Sequence, residues 1–324
     1  MTTSHRKASP SVRFRVPRTI SSEAAAALAV VYEASQQAPP PVRPLSEADF
    51  DSANRQMEAA FAPPNEKLAA TLGTAIRRDV LDGVPVVRIV PRRRKAGGRA
   101  LIYVHGGAYV YFSAGTMIGL PSLIAEATGN EVISIDYTLA PRAQWRVVTD
   151  QVLTVWKALL AAGNAAESLG LFGDSAGGGL AAGAVLKMRD QQLPLPGALW
   201  LLSPWSDISG AGDSYETLAD ADPTLSSELL TWCDPDEHRN PYVSPIYGDY
   251  AKPFPPTLIQ GGTREMFLSN FVRQYQVIRS AGHEAVLDLY EGMPHVFQSV
   301  LPDAPESKTA IVRAAAFFDD HLHQ

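Results

Sequence analysis

Ser175 stands two residues after Gly173 and two before Gly177, within the stretch LGLFGDSAGGGLAAGAVL at 169–186. Apolar residues precede it and small helix-forming residues follow it, so the serine falls on a strand-to-helix turn. A serine hydroxyl is a poor nucleophile until a base takes its proton. The base needs an acid to orient it, and the developing oxyanion needs hydrogen-bond donors. The G-x-S-x-G spacing alone is a weak signal. A strand before it and a helix after it turn it into the sharp, strained bend that exposes a nucleophile.

The other parts can be sought one at a time. Of seven histidines, His5, His321 and His323 lie in the terminal tails, His238 in a polar proline-rich stretch and His283 just ahead of a strand. His105 and His295 remain. In a strand–turn–helix setting of this kind the order along the chain is nucleophile, acid, histidine. Only His295, in YEGMPHVFQ after the last apolar strand, has that place. The acid belongs at the end of the preceding strand. After PTLIQGG the first carboxylate is Glu265, and the next acidic residue is Glu284. The rival is Asp207 in LLSPWSDIS, one strand earlier. His105 opens HGGA directly after the strand-like ALIYV. There the backbone N–H groups of Gly106, Gly107 and Ala108 can turn toward a site and, with the N–H of Ala176, form an oxyanion hole.

These residues need a frame. RDVLDGVPVVRIVP reads as two strands around Asp82-Gly83. ALIYVHG, EVISIDY, SLGLFG, GALWLLS, PTLIQGG and EAVLDLY are short apolar runs ending in glycine or polar residues. Helical patterns lie between them, around 117–128, 147–162, 176–191, 269–281 and 305–321. The alternation predicts an α/β fold, with a mostly parallel eight-stranded sheet covered by helices on both faces. Two segments break the rhythm. Residues 1–70 hold an alanine-rich helix pattern from Ser21 or Ser22 and a second one opened by Ser46-Glu47-Ala48-Asp49, a capping-box spacing. Residues 207–250 form a long excursion with a short helix near 225–233. Both are expected to pack over the sheet as a cap. The core then comprises 71–206 and 251–324, and Trp205, Tyr215, Trp232 and Tyr242 are candidates to narrow the site.

Composition bounds the chemistry. The chain has 324 residues, 46% of them hydrophobic, and a net charge of −6. Its longest basic run, Arg92-Arg93-Arg94-Lys95, sits between strand-like stretches and reads as an exposed turn rather than a nucleic-acid surface. The single cysteine, Cys233, excludes an intrachain disulfide and a cysteine-based zinc cluster. No apolar h-region follows the N-terminal charges and no run approaches the length of a membrane span. The expectation is a cytoplasmic protein without metal, cofactor, nucleic-acid partner or membrane anchor. A homodimer is left open.

HGGA (105–108), DYTLAPR (136–142), GDSAGG (173–178), SPWSD (203–207) and MPHVF (293–297) together resemble the hormone-sensitive-lipase-like esterases of the α/β-hydrolase fold, bacterial family IV. The similarity spans roughly 75–320. It implies a carboxylic-ester hydrolase with a cap built from the N-terminal segment and the later excursion. Ser175, His295 and Glu265 then form its triad, and a closed cap with bulky aromatic groups leads to short-chain acyl esters as the expected substrates. The HGGAYV variant is also similar to lactone hydrolases and acetyl-hydrolases of that group. A non-catalytic receptor of the same fold, lacking the histidine, is the alternative from another class. Three departures stand out: Ala108 in place of the last glycine of HGGG, Thr138 and Arg142 in the DYTLAPR stretch, and glutamate rather than aspartate at 265.

Overall fold

The computed structural model describes residues 15–37, 46–95, 97, 99–225 and 234–323. Eight strands form one sheet: β1 (Ala75–Leu81), β2 (Val84–Val90), β3 (Ala100–Val104), β4 (Glu131–Ile135), β5 (Leu169–Asp174), β6 (Ala198–Leu202), β7 (Thr257–Gly262) and β8 (Ala285–Tyr290). Their order is β1-β2-β4-β3-β5-β6-β7-β8. The first two pairings, β1 with β2 and β2 with β4, are antiparallel, and every later one is parallel. The β1–β2 hairpin closes on Asp82 and Gly83, whose φ values of 47° and 84° are those the two-residue primed turn requires.

Helices cover both faces: α1 (Ser22–Gln37), α2 (Glu47–Leu72), α3 (Gly119–Thr128), α4 (Trp145–Ala161), α5 (Ala176–Asp190), α6 (Ser214–Thr217), α7 (Leu268–Ser280), α8 (Phe297–Val300) and α9 (Pro305–His321). The expected capping box is present at α2. The Ser46 side chain accepts from the N–H of Asp49, and the Asp49 carboxylate accepts from the N–H of Ser46. The expected helix near 225–233 lies largely outside the described residues.

Strand alternation sorts the core into two layers. Ile102, Val104, Leu171 and Leu201 face α4, α5 and α7, while Leu101, Tyr103, Phe172, Trp200 and Leu202 face α3 and α9. In the second layer Phe172 stacks on Trp200 at 5.4 Å, and Phe318 sets its edge against Trp200 at 6.2 Å. Truncating a ring so enclosed costs about 3–5 kcal/mol. A third, smaller cluster joins Ala24, Leu28 and Tyr32 of α1 to Met293, Phe297 and Leu301 beyond β8. Two members of the basic run are paired where they stand, Arg94 on Glu131 at 2.9 Å and Lys95 on Asp319 at 3.1 Å. Because β3 through β8 run parallel, their carboxyl ends meet along one rim, where ligands of open α/β sheets bind.

Candidate active site

Ser175 joins β5 to α5 with φ 54° and ψ −122°. A non-glycine residue in such a conformation stores on the order of 1–3 kcal/mol and persists only where its surroundings fix it. Here the Ser175 N–H donates to the Leu202 carbonyl at 2.8 Å, and its own carbonyl accepts from the N–H of Trp205 at 2.8 Å. Gly177 is required for a different reason. A Cβ there would collide with the carbonyls of Val104 and His105, so only glycine lets α5 lie this close to the end of β3.

Glu265 and His295 arrive from the loops after β7 and β8. His295 Nδ1 lies 2.7 Å from Glu265 Oε2, and the carboxylate is fully buried. The other carboxylate oxygen, Oε1, accepts from the Ser203 hydroxyl at 2.8 Å and from the N–H of Gly262. A carboxylate on Nδ1 selects the tautomer with a lone pair on Nε2, the form able to take a proton. Burial alone would lower the His295 pKa. The hydrogen bond and charge of Glu265 outweigh it and raise the imidazole above the usual histidine range. Burial also pushes the Glu265 carboxyl up, against the pull of His295 and of the Gly262 N–H. Phe267 meets the His295 ring edge to face at 5.3 Å and holds its plane.

The turn after β3 is built from residues that tolerate or are forced into positive φ: Gly107 at 110°, Ala108 at 53° and Tyr109 at 65°. Ala108 gives up on the order of 1 kcal/mol there relative to glycine. Gly106 corrects an expectation. Its N–H is spent on Asp174 Oδ1 at 2.9 Å, so it has nothing left for a substrate oxyanion. The N–H groups of Gly107, Ala108 and Ala176 have no protein acceptor among the described residues, and they remain the candidate donors. Asp174 is itself gripped by the Tyr103 hydroxyl at 2.5 Å, and it ties the turn to the elbow. His105 is no base. It is buried, its Nδ1 donates to the Gly106 carbonyl at 2.7 Å, and its ring stacks on Tyr137 at 4.2 Å. Burial lowers its pKa and keeps it neutral.

The profile of the alpha/beta hydrolase fold family matches residues 101–299. The chain is 32% identical over 234 residues to an acetyl-hydrolase of Streptomyces hygroscopicus, covering 70% of this chain and 77% of that one. It is 27% identical over 299 residues to an ethyl acetate hydrolase of Pseudomonas putida, covering 84% and 92%. The crystal structure of an esterase from the bacterial hormone-sensitive lipase family superposes with a TM-score of 0.82 at 29% identity, covering 94% of this chain and 99% of that one. The chain belongs to the alpha/beta hydrolases, in their hormone-sensitive-lipase-like branch.

In this hydrolase the rival acid is engaged elsewhere. Asp207 is fully buried, its Oδ2 accepts from Arg273 Nη1 at 2.5 Å and from the Tyr247 hydroxyl at 3.2 Å, and its Oδ1 accepts from Ser209. Two further residues brace the rim. Asp222 accepts the Met266 N–H at 2.9 Å and so fixes the residue after Glu265, while Ser203 joins the acid to the histidine loop. Ser203 lies in the quoted SPWSD, but Asp222 has no local signal.

Both non-core segments reach the rim. The Tyr32 hydroxyl on α1 donates to the Ala221 carbonyl at 2.6 Å, and α1 packs on Met293 and Phe297, either side of His295. Asn54 of α2 accepts the Phe112 N–H at 2.6 Å and braces the turn after β3. The four aromatic candidates divide. Trp205 stacks on Phe267 at 5.5 Å, which in turn meets the His295 ring, and donates to the Tyr215 hydroxyl at 3.0 Å. Tyr242 instead lies against Trp145 and bonds Asp190, at the far end of α5, and Trp232 is outside the described residues. Among the described residues no group of three His, Cys, Asp or Glu could hold a metal ion, and no helix is long and apolar enough to cross a membrane.

Proposed function

We propose that this carboxylesterase cleaves short-chain acyl esters through Ser175, His295 and Glu265. The observation that carries the reading is the 2.7 Å bond from His295 Nδ1 to buried Glu265, at the same rim as the strained Ser175. As Ser175 Oγ attacks the acyl carbon, His295 Nε2 takes its proton. The N–H groups of Gly107, Ala108 and Ala176 receive the negative oxygen of the tetrahedral intermediate. Collapse breaks the bond to the leaving oxygen, and His295 returns the proton to it, releasing the alcohol. Water then gives its proton to His295 and attacks the acyl-enzyme. His295 returns this proton to Ser175 Oγ as the second tetrahedral intermediate collapses, so the carboxylic acid leaves and Ser175 is regenerated. Glu265 stays ionised throughout and stabilises the imidazolium. His295 in place on its carboxylate gives the chain the proton carrier that a receptor of this fold lacks.

Short acyl chains are favoured by what fills the rim. Tyr109, Trp205 and Phe267 are almost fully buried, with rings in sequence at 6.0 and 5.5 Å, and Phe267 abuts His295. The described parts of segments 1–70 and 207–250 act as a cap over it. Each methylene buried in a matching pocket contributes about 0.8 kcal/mol, so kcat/KM first rises with acyl length. Once the pocket is full, further carbons have no place. The expected result with p-nitrophenyl esters is a maximum at acyl groups of roughly two to six carbons and a palmitate rate lower by orders of magnitude. A steady rise through palmitate, or a jump in rate where the substrate forms micelles, contradicts it.

A further inference from the structure

We infer that Ser203, which directly follows β6 and never meets substrate, is a positioning residue whose hydroxyl sets the Glu265–His295 pair. The inference rests on the triad reading and adds a fourth member to it. Ser203 is fully buried and sits at φ 45°, a strained conformation for serine. Its N–H donates to the Gln260 carbonyl at 2.7 Å, which fixes the backbone against β7. From that anchor the hydroxyl does two things at once. It donates to Glu265 Oε1 at 2.8 Å and accepts the N–H of Val296 at 3.0 Å. Val296 follows His295 directly and is itself in the left-handed region, at φ 49°. One oxygen therefore holds both ends of the His295–Glu265 bond, the acid by its carboxylate and the histidine by the next peptide.

The hydroxyl proton has a defined use. Glu265 Oε1 also receives the Gly262 N–H, so two donors orient that oxygen and turn Oε2 toward the imidazole. With the hydroxyl gone, the carboxylate pivots on a single donor, and the Val296 N–H has lost its acceptor in a site closed to bulk water. A hydrogen bond to a charged group in such a place governs roughly a 10- to 100-fold change in equilibrium or rate. A merely structural serine would instead show its loss in unfolding and leave the triad's own signature untouched.

The test uses Ser203→Gly, which removes the hydroxyl and relieves the positive φ, and Ser203→Ala, which removes the hydroxyl alone. Four readouts are taken on each: kcat and KM for p-nitrophenyl butyrate, thermal unfolding, the far-downfield proton resonance of the His295 Nδ1–H, and the same substitution in a Glu265→Ala background. The expected result is a kcat lower by roughly 10- to 100-fold with KM within a factor of about two. The downfield proton should broaden or shift, and Ser203→Gly should cost nothing further once Glu265 is alanine. A kcat within about twofold of wild type, or an equal loss in the Glu265→Ala background, overturns the inference. Loss of the folded state in both variants also overturns it, since a positioning role leaves the fold standing. If Ser175→Ala is inactive while Ser203→Gly is fully active, this inference alone fails. If Ser175→Ala turns over normally, the triad itself fails.

Discussion

Ser175→Ala abolishes ester hydrolysis, with kcat lower by on the order of 10⁶, while the protein folds and melts as the wild type does. The bonds that hold the elbow are those of its backbone, the N–H to Leu202 and the carbonyl to Trp205, and alanine keeps them. Alanine also tolerates the positive φ about as well as serine. Among the described residues His105, the other histidine beside the elbow, is buried and held neutral and offers no substitute. His295→Ala should be nearly as damaging, and the double variant no slower than either single one, as for residues that act as a unit. Assays with p-nitrophenyl butyrate beside thermal unfolding by circular dichroism check both halves. Turnover within tenfold of wild type contradicts the assignment of Ser175.

Glu265→Gln lowers kcat by about 10⁴, and the geometry gives the reason. The Gly262 N–H points at Oε1, so in the glutamine variant that place must be taken by the amide oxygen. The NH₂ group then faces His295 Nδ1, where the carboxylate oxygen had been. A donor at that place forces the proton onto Nε2, and the imidazole can no longer accept one from Ser175. The pH profile moves as well. Glu265 raises the His295 pKa, and a base must be neutral to act, so wild-type activity is lost as pH falls through that raised value. In the variant the support is gone, and the acid limb of the residual activity lies at lower pH. Asp207→Asn is the control. It weakens an ion pair with Arg273 and lowers the melting temperature, but leaves kcat within about tenfold and the acid limb unmoved. If Asp207→Asn were the worse lesion for kcat, the acid would be misassigned.

Much of this site could be read along the chain because its signals are local. The elbow at Ser175 is a strand, a turn and a helix in one stretch, and the Asp82-Gly83 hairpin needs only the two residues that permit positive φ. The pairing of Glu265 with His295 follows from order, each being the first suitable residue after a strand. The helix patterns around 147–162 and 305–321 match α4 and α9 to within two residues. What could not be read depends on contacts between distant parts. The N–H of Gly106 looked like an oxyanion donor, yet Asp174, 68 positions away, consumes it. Ser203 and Asp222 act through loops 62 and 44 positions further on; Ser203 stands in the quoted SPWSD, but nothing in that motif says which side chain it holds, and Asp222 has no local signal at all. Tyr242 had the composition of a pocket wall, but the packing of Trp145 draws its ring to the far end of α5. The helix α2 continues through Pro63 and Pro64, which propensity alone would make its end.

The most direct measurement is peptide mapping by mass spectrometry after inactivation with diethyl p-nitrophenyl phosphate, a phosphoester that leaves a stable group on a serine nucleophile. One diethylphosphoryl group per chain should form on the peptide carrying Ser175, in proportion to the activity lost. The Ser175→Ala and His295→Ala proteins should remain unlabelled over the same interval. Inactivation with the label on another residue, or full labelling of Ser175 with hydrolysis undiminished, would contradict the account.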